Sequence, residues 1–299
     1  MQKLARDSII YDFNKCHEPV HKIESGETLE IHTYDCFQNQ IQSEDEEVGG
    51  IDWNRVNPAT GPVFVEGAMP WDVLKVTIEK LEIGEQGVMV VGPKLGVMGH
   101  RIEEMEAKII PITKGKALFN NIELALNPMI GVIGVAPGGE GVSCGTPGAH
   151  GGNMDNKMVT EGATLYFHVA VEGALFGLGD FHAAMGDGEV SVSGIEVEGK
   201  ATVTFEVVKG ESVTQPMLEN DEVVTQIASA ETLDEAVKVA TELMVDRICG
   251  KTGMSVSEVT MLMSAVGQVE VCQVVDPLMT VRFVVPKWLE EKFGVRLIG

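Results

Sequence analysis

The chain has 299 residues, enough to bury a substantial core and, by length, to make about two domains. Hydrophobic residues make up 44%, a globular share that excludes wholesale disorder, and 45 Asp and Glu against 22 Lys and Arg leave a formal charge of −23. Such a surface repels phosphate backbones and anionic lipid heads, so nucleic acid and membranes are not expected partners, whereas metal cations are.

In chain order, the N-terminus lacks an apolar signal core and no apolar run is long enough to cross a bilayer, which points to the cytoplasm. Residues 1 to 35 alternate in short runs. Leu29 and Ile31 share one strand face and Glu30 and His32 the other, with His32 and Asp35 placed where that strand ends in a turn. Ser43 to Glu47 is an acidic loop, and Gly49-Gly50 bends the chain after it. Pro58 to Pro62 reads as a turn, Val63 and Val65 as a strand, and Val73 to Ile78 as another that Gly84 closes. Val88 to Gly99 is a short strand followed by glycine turns. Short strands separated by Gly and Pro predict a β-sandwich-like body over residues 1–210.

The pattern then changes to an α/β module over 211–299. Thr232 and Glu235 frame a capping box that opens a helix stopping at Gly250. Ser255 and Glu258 open a second helix, which runs to Gly267. Gln268 to Val275 and Met279 to Val285 follow as strands, and Pro286 opens a short terminal helix. The predicted fold class is therefore mainly β, with a helix pair and strands at the C-terminal end. Cysteines 16, 36, 144, 249 and 272 are odd in number and form no C-x-x-C, so reduced thiols are expected.

The chemistry concentrates between Asn127 and Glu189. Glycines there bracket His150, Asn153 and Asp155 in one cluster, and Asp180, His182, Asp187 and Glu189 in another, around a strand predicted over Thr164 to Val171. Asp180 and His182 lie two apart, so an extended backbone puts both on one face, where they can ligate one ion. Asp155 and His32 are candidates to complete the shell, and His150 can serve as a ligand or as a hydrogen-bond donor to substrate. Imidazole nitrogen with carboxylate oxygen suits zinc, although iron and manganese accept the same ligand types. Cys144, in V-S-C-G-T-P-G, is the rival as a thiol nucleophile.

Several of these segments resemble the acetamidase/formamidase family. They are G-A-H-G-G-N-M-D at Gly148 to Asp155 and G-D-F-H-A-A-M-G-D-G-E at Gly179 to Glu189, with N-P-A-T-G-P-V-F-V-E-G-A from Asn57, G-V-I-G-V-A-P from Gly131 and Q-V-V-D-P-L-M-T-V-R from Gln273. The resemblance runs through nearly the whole chain, and Met185 stands where that family often has Gln. It implies hydrolysis of short aliphatic amides such as formamide and acetamide to acid and ammonia. For that reaction the leaving nitrogen needs a proton. Glu189 is the candidate general base and acid, with Asp187 as its substitute, and His150 and Asn153 are candidate substrate contacts. A divalent metal, zinc by ligand type, is the expected cofactor, and a homo-oligomer the expected assembly. The alternatives are a non-catalytic metal-bound sandwich used for binding or assembly, and a thiol-dependent amidase using Cys144.

Overall fold

The computed structural model of the protein describes residues 1–43 and 50–299, so the acidic run expected at 44–47 and the bend expected at 49 lie outside the described residues. Strands dominate, and they form two large sheets. The first orders nine strands as Gln2–Leu4, Thr28–Thr33, Gly199–Val208, Val73–Ile83, Thr164–His168, Met217–Glu219, Val223–Ala230, Met279–Pro286 and Gln268–Gln273. The chain beyond residue 210 thus extends a sheet begun by the first residues.

The second sheet has eleven strands, and its path runs from Ile122–Ala125 through Lys116–Phe119, Glu106–Thr113, Gln86–Val91, Glu196–Val197, Phe176–His182 and Met129–Gly134 to Gly151–Asn153. Ala59–Val65 also pairs with Phe176–His182. Period-two alternation explains why the two sheets close on one core. Leu29 and Ile31 from the first sheet are fully buried, as are Val203 and Phe205 on the strand Gly199–Val208. They pack with Ile130, Phe176, Leu178 and Phe181 of the second sheet. The Phe176 and Phe205 rings meet edge to face at 5.0 Å, tying the layers together.

Helix α1 (Leu233–Thr252) follows Thr232, whose hydroxyl accepts from the Glu235 amide at 3.2 Å. Helix α2 (Val256–Val266) carries the full reciprocal box, with Ser255 and Glu258 each bonding the other's backbone amide. Ala236, Ala240, Met244 and Ile248 of α1 pack on Val281, Phe283 and Val285 of the strand Met279–Pro286 in a second core. A third helix, α3 (Trp288–Phe293), closes the chain, and Glu219 joins this end to the body by accepting from Tyr166, Lys287 and Arg296.

Three local expectations are corrected. Residues 58–62 are not a turn: Ala59–Val65 is a strand, because a Cβ at Gly61 would lie 2.7 Å from the Phe176 carbonyl and the glycine lets the strands close up. Gly250 does not stop α1. The helix continues to Thr252, and Gly253, at φ 74°, takes the left-handed cap and donates to the Cys249 carbonyl. Pro286 ends a strand instead of opening the last helix.

Candidate active site

The site grows from the strand Phe176–His182, which is buried along its whole length. Met129–Gly134 pairs with it so that Ile130 faces Phe181 and Val132 faces Gly179, which sets Gly131 opposite Asp180. A Cβ at Gly131 would lie 2.4 Å from both an Asp155 and an Asp180 carboxylate oxygen. A Cβ at Gly194 would lie 2.6 Å from His182 Nδ1. Glycine at these two places is what lets the polar side chains converge. The backbone contributes as well. Asp155, Asp180 and Glu189 sit at φ 39°, 56° and 47°, a left-handed region that costs a residue with a Cβ of the order of 1 kcal/mol. Three such residues meeting in one place mark a built site.

His182 Nε2 is the centre. Around it lie carboxylate oxygens of Glu196 at 3.1 Å, Asp180 at 3.5 Å, Asp155 at 3.8 Å and Glu189 at 3.9 Å. All five side chains are buried. Among the described residues, both Asp155 oxygens, both His182 nitrogens and Glu196 Oε2 meet no hydrogen-bond partner. Orphaned polar atoms in a dry interior cost about 1–3 kcal/mol each, and more when charged. Donor atoms that share one ion at about 2.0–2.2 Å must lie close together, and one ligand atom each from Asp155, His182 and Glu189 lie within 4.8 Å of one another. The donor set therefore fits a divalent cation at Asp155, His182 and Asp180 or Glu189. Among the described residues no Lys or Arg makes a salt bridge to any of the four carboxylates. Burial raises the Glu189 carboxyl well above its ordinary pKa, and the nearby Asp155 charge adds to it. Burial pushes Glu196 up to about 7.

Glu189 is returned to this centre by a docked loop. The Gly188 amide donates to the Cys272 carbonyl at 2.7 Å and the Val274 amide donates to the Gly188 carbonyl at 3.2 Å. The next residue back is clamped more firmly. Asp187 accepts from both terminal nitrogens of the fully buried Arg282, at 3.0 and 2.8 Å, and pairs with Lys157 at 2.7 Å. Its carboxylate is engaged by two cations, and these contacts hold the loop. Glu189 lies in the wall between two spaces: an inner cavity of about 110 Å³, lined also by Asp180, Glu196, Asn153 and Phe37, and an outer groove of about 460 Å³ with apolar walls at Phe119, Leu124 and Met185.

The other expected residues separate. Asn153 reaches the inner cavity and donates to Asp276 at 3.0 Å. His32 points elsewhere: its ring bonds Glu30 at 2.7 Å, beside the Lys3–Glu30 pair, and it completes no shell around His182. His150 is buried edge to face with Phe13 at 5.2 Å and is not among the residues that line the inner cavity; burial pulls its pKa down to about 4. Asp35 caps its own turn by accepting from the Phe37 and Asn39 amides. Sequence reasoning missed Glu196, Asp276 and Cys36. Asp276 could have been found in the segment Q-V-V-D-P, whereas nothing local to Glu196 sets it apart from any strand carboxylate. It is informative only once its pairing with His182 is known.

Cys144 is fully buried against Ile10, and burial raises its thiol far above the usual range, which suppresses the thiolate. We expect Cys144→Ser to keep most of whatever amide hydrolysis the unaltered protein shows. Complete loss, with fold and metal content unchanged, would revive a thiol mechanism.

The Acetamidase/Formamidase family matches residues 2–143 and 138–264 of the chain. The fold superposes on the crystal structure of a protein from Thermoanaerobacter tengcongensis, named as a predicted acetamidase/formamidase, with a TM-score of 0.97 and 49% identity over 99% of this chain and 98% of that one. On an acetamidase from Bacillus halodurans the TM-score is 0.96 at 43% identity, over 98% of this chain and all of the other. A Schizosaccharomyces pombe protein with formamidase in its name is 23% identical over 261 residues, 66% of this chain and 64% of that one. The chain spans less than two thirds of the length of the curated relatives it matches.

Proposed function

We propose that this chain, which belongs to the acetamidase/formamidase family, hydrolyses short aliphatic amides such as formamide and acetamide to the carboxylic acid and ammonia. The observation that carries this reading is the ring of four buried carboxylates around His182 Nε2, three of which, Asp180, Glu189 and Glu196, line a cavity of about 110 Å³. That volume suits a substrate of a few heavy atoms. Asp155, Asp180 and His182 would hold a divalent ion, zinc by ligand type. When bound, such an ion supplies Lewis-acid polarisation of the carbonyl and lowers the pKa of water at neutral pH.

The chain's own residues do the rest. Asn153 keeps a carboxamide at the cavity wall, where its unpartnered Oδ1 can accept from the substrate amide N–H. Glu189 faces both the ion-binding donors and the cavity. Burial raises its pKa, and its place at the cavity lets it take a proton from water and pass it to the departing nitrogen. The Asp187–Arg282 clamp fixes that carboxyl in place. The test is ammonia release from formamide and acetamide by purified protein, before and after chelation and after adding zinc back. Turnover that vanishes on chelation and returns with zinc is expected. Turnover that survives complete metal removal would overturn the metal part of the reading, and no turnover of either amide by the loaded protein would favour a binding role.

A further inference from the structure

The donors at Asp155 and His182 are not the only ones in this interior. Cys36, Asp180 and Glu196 bring one Sγ and two carboxylate oxygens within 4.8 Å of one another. We propose that these three residues form a second, thiolate-containing divalent-cation site, adjacent to the first and sharing Asp180 with it. The inference rests on the amidase reading only in taking the first ion to lie at Asp155 and His182.

Three observations carry it. The three residues arrive from unrelated parts of the chain and are all buried: Cys36 from the turn that follows Thr28–Thr33, Asp180 from the central strand, and Glu196 from the short strand that pairs with His182. The turn itself is rigid, because Asp35 accepts from the amides of Phe37 and Asn39 at 3.0 and 2.7 Å, so Cys36 is held in position. Glu196 directs one oxygen to His182 at 3.1 Å, while its other oxygen, Oε2, is buried with no partner among the described residues.

A thiolate with two carboxylates favours a borderline-soft ion such as zinc or cobalt over magnesium or calcium. Cys36, Asp180, Glu196 and Glu189 also line the same inner cavity, so the second ion would face a small molecule bound there.

Cobalt reports on this directly, since a thiolate bound to Co²⁺ gives a near-ultraviolet charge-transfer band that oxygen and nitrogen ligands do not. Metal-stripped full-length protein is titrated with Co²⁺ alone, and both the bound stoichiometry and the spectrum are recorded. We expect two ions per chain and the charge-transfer band. Cys36→Ser should lose the band and fall to one ion while keeping the visible absorption of the first site, and Cys272→Ser and Cys144→Ser should keep the band. One bound ion with no charge-transfer band overturns the second site and leaves the first standing. Retention of the band by Cys36→Ser also overturns it. Failure to bind cobalt at all overturns both sites. If Cys36→Ser does not fold, the wild-type stoichiometry and band decide, together with the two control variants.

Discussion

Glu189→Gln should lower amide turnover by roughly 10²–10⁴ while leaving the fold unchanged, the range for removing general acid–base help. That loss corresponds to about 3–5 kcal/mol of barrier. The reasoning starts from the leaving group. An amide nitrogen cannot depart as an anion, so it must gain a proton in or near the transition state. The donor has to reach the cavity, hold a proton at neutral pH and release it again. Glu189 meets these conditions by position and environment: it lines the inner cavity, its carboxyl lies 3.9 Å from His182 Nε2, and burial raises its pKa. Gln keeps the size and the polar surface and removes only the exchangeable proton. Metal analysis and steady-state ammonia release on the same preparation decide the matter. Near wild-type turnover would mean that solvent or Asp276 supplies the proton. Asp187 is instead engaged by Arg282 and Lys157 in holding the loop.

Much of the fold was legible because it rests on local rules. Alternation marked the strands around Leu29, Val203 and Phe205, and capping boxes marked both long helices. The failures are places where a distant partner decides. The P-A-T-G-P segment has turn composition, yet it becomes a strand because Phe176 approaches Gly61 too closely for any other residue. The site divides in the same way. Asp155, Asp180, His182 and Glu189 stood out through their glycine neighbours, and the structure brings all four together. The reason the glycines are needed was not legible. The Gly131 backbone must leave room for two carboxylates, and three of the site acids adopt left-handed backbone. His32 was drawn in by its residue type alone, and its partner Glu30, two residues back, explains it locally. Glu196 and Cys36 were invisible because only sheet pairing and the Asp35 turn deliver them to the centre.

His182→Ala should remove the ion held at Asp155 and His182, so that the variant binds at least one ion fewer per chain and loses amide turnover. Among the described residues His182 is the only nitrogen donor in the cluster, and the four carboxylates are arranged around its Nε2. Taking it away does two things at once. The first site loses its borderline-soft ligand, leaving an all-oxygen set that holds zinc less well. The variant also keeps buried carboxylates that have lost part of their counter-charge, and an uncompensated buried charge costs about 3–5 kcal/mol. Urea unfolding of the two proteins in the presence of zinc should therefore show a lower midpoint for the variant. The backbone should survive, because the strand is held by its pairings with Met129–Gly134 and Glu196–Val197 and by Phe181 and Leu178 in the core. Far-ultraviolet circular dichroism checks that point, and elemental analysis checks the ion. A folded His182→Ala protein with wild-type metal content would place the ion elsewhere and leave the four carboxylates without the role assigned to them.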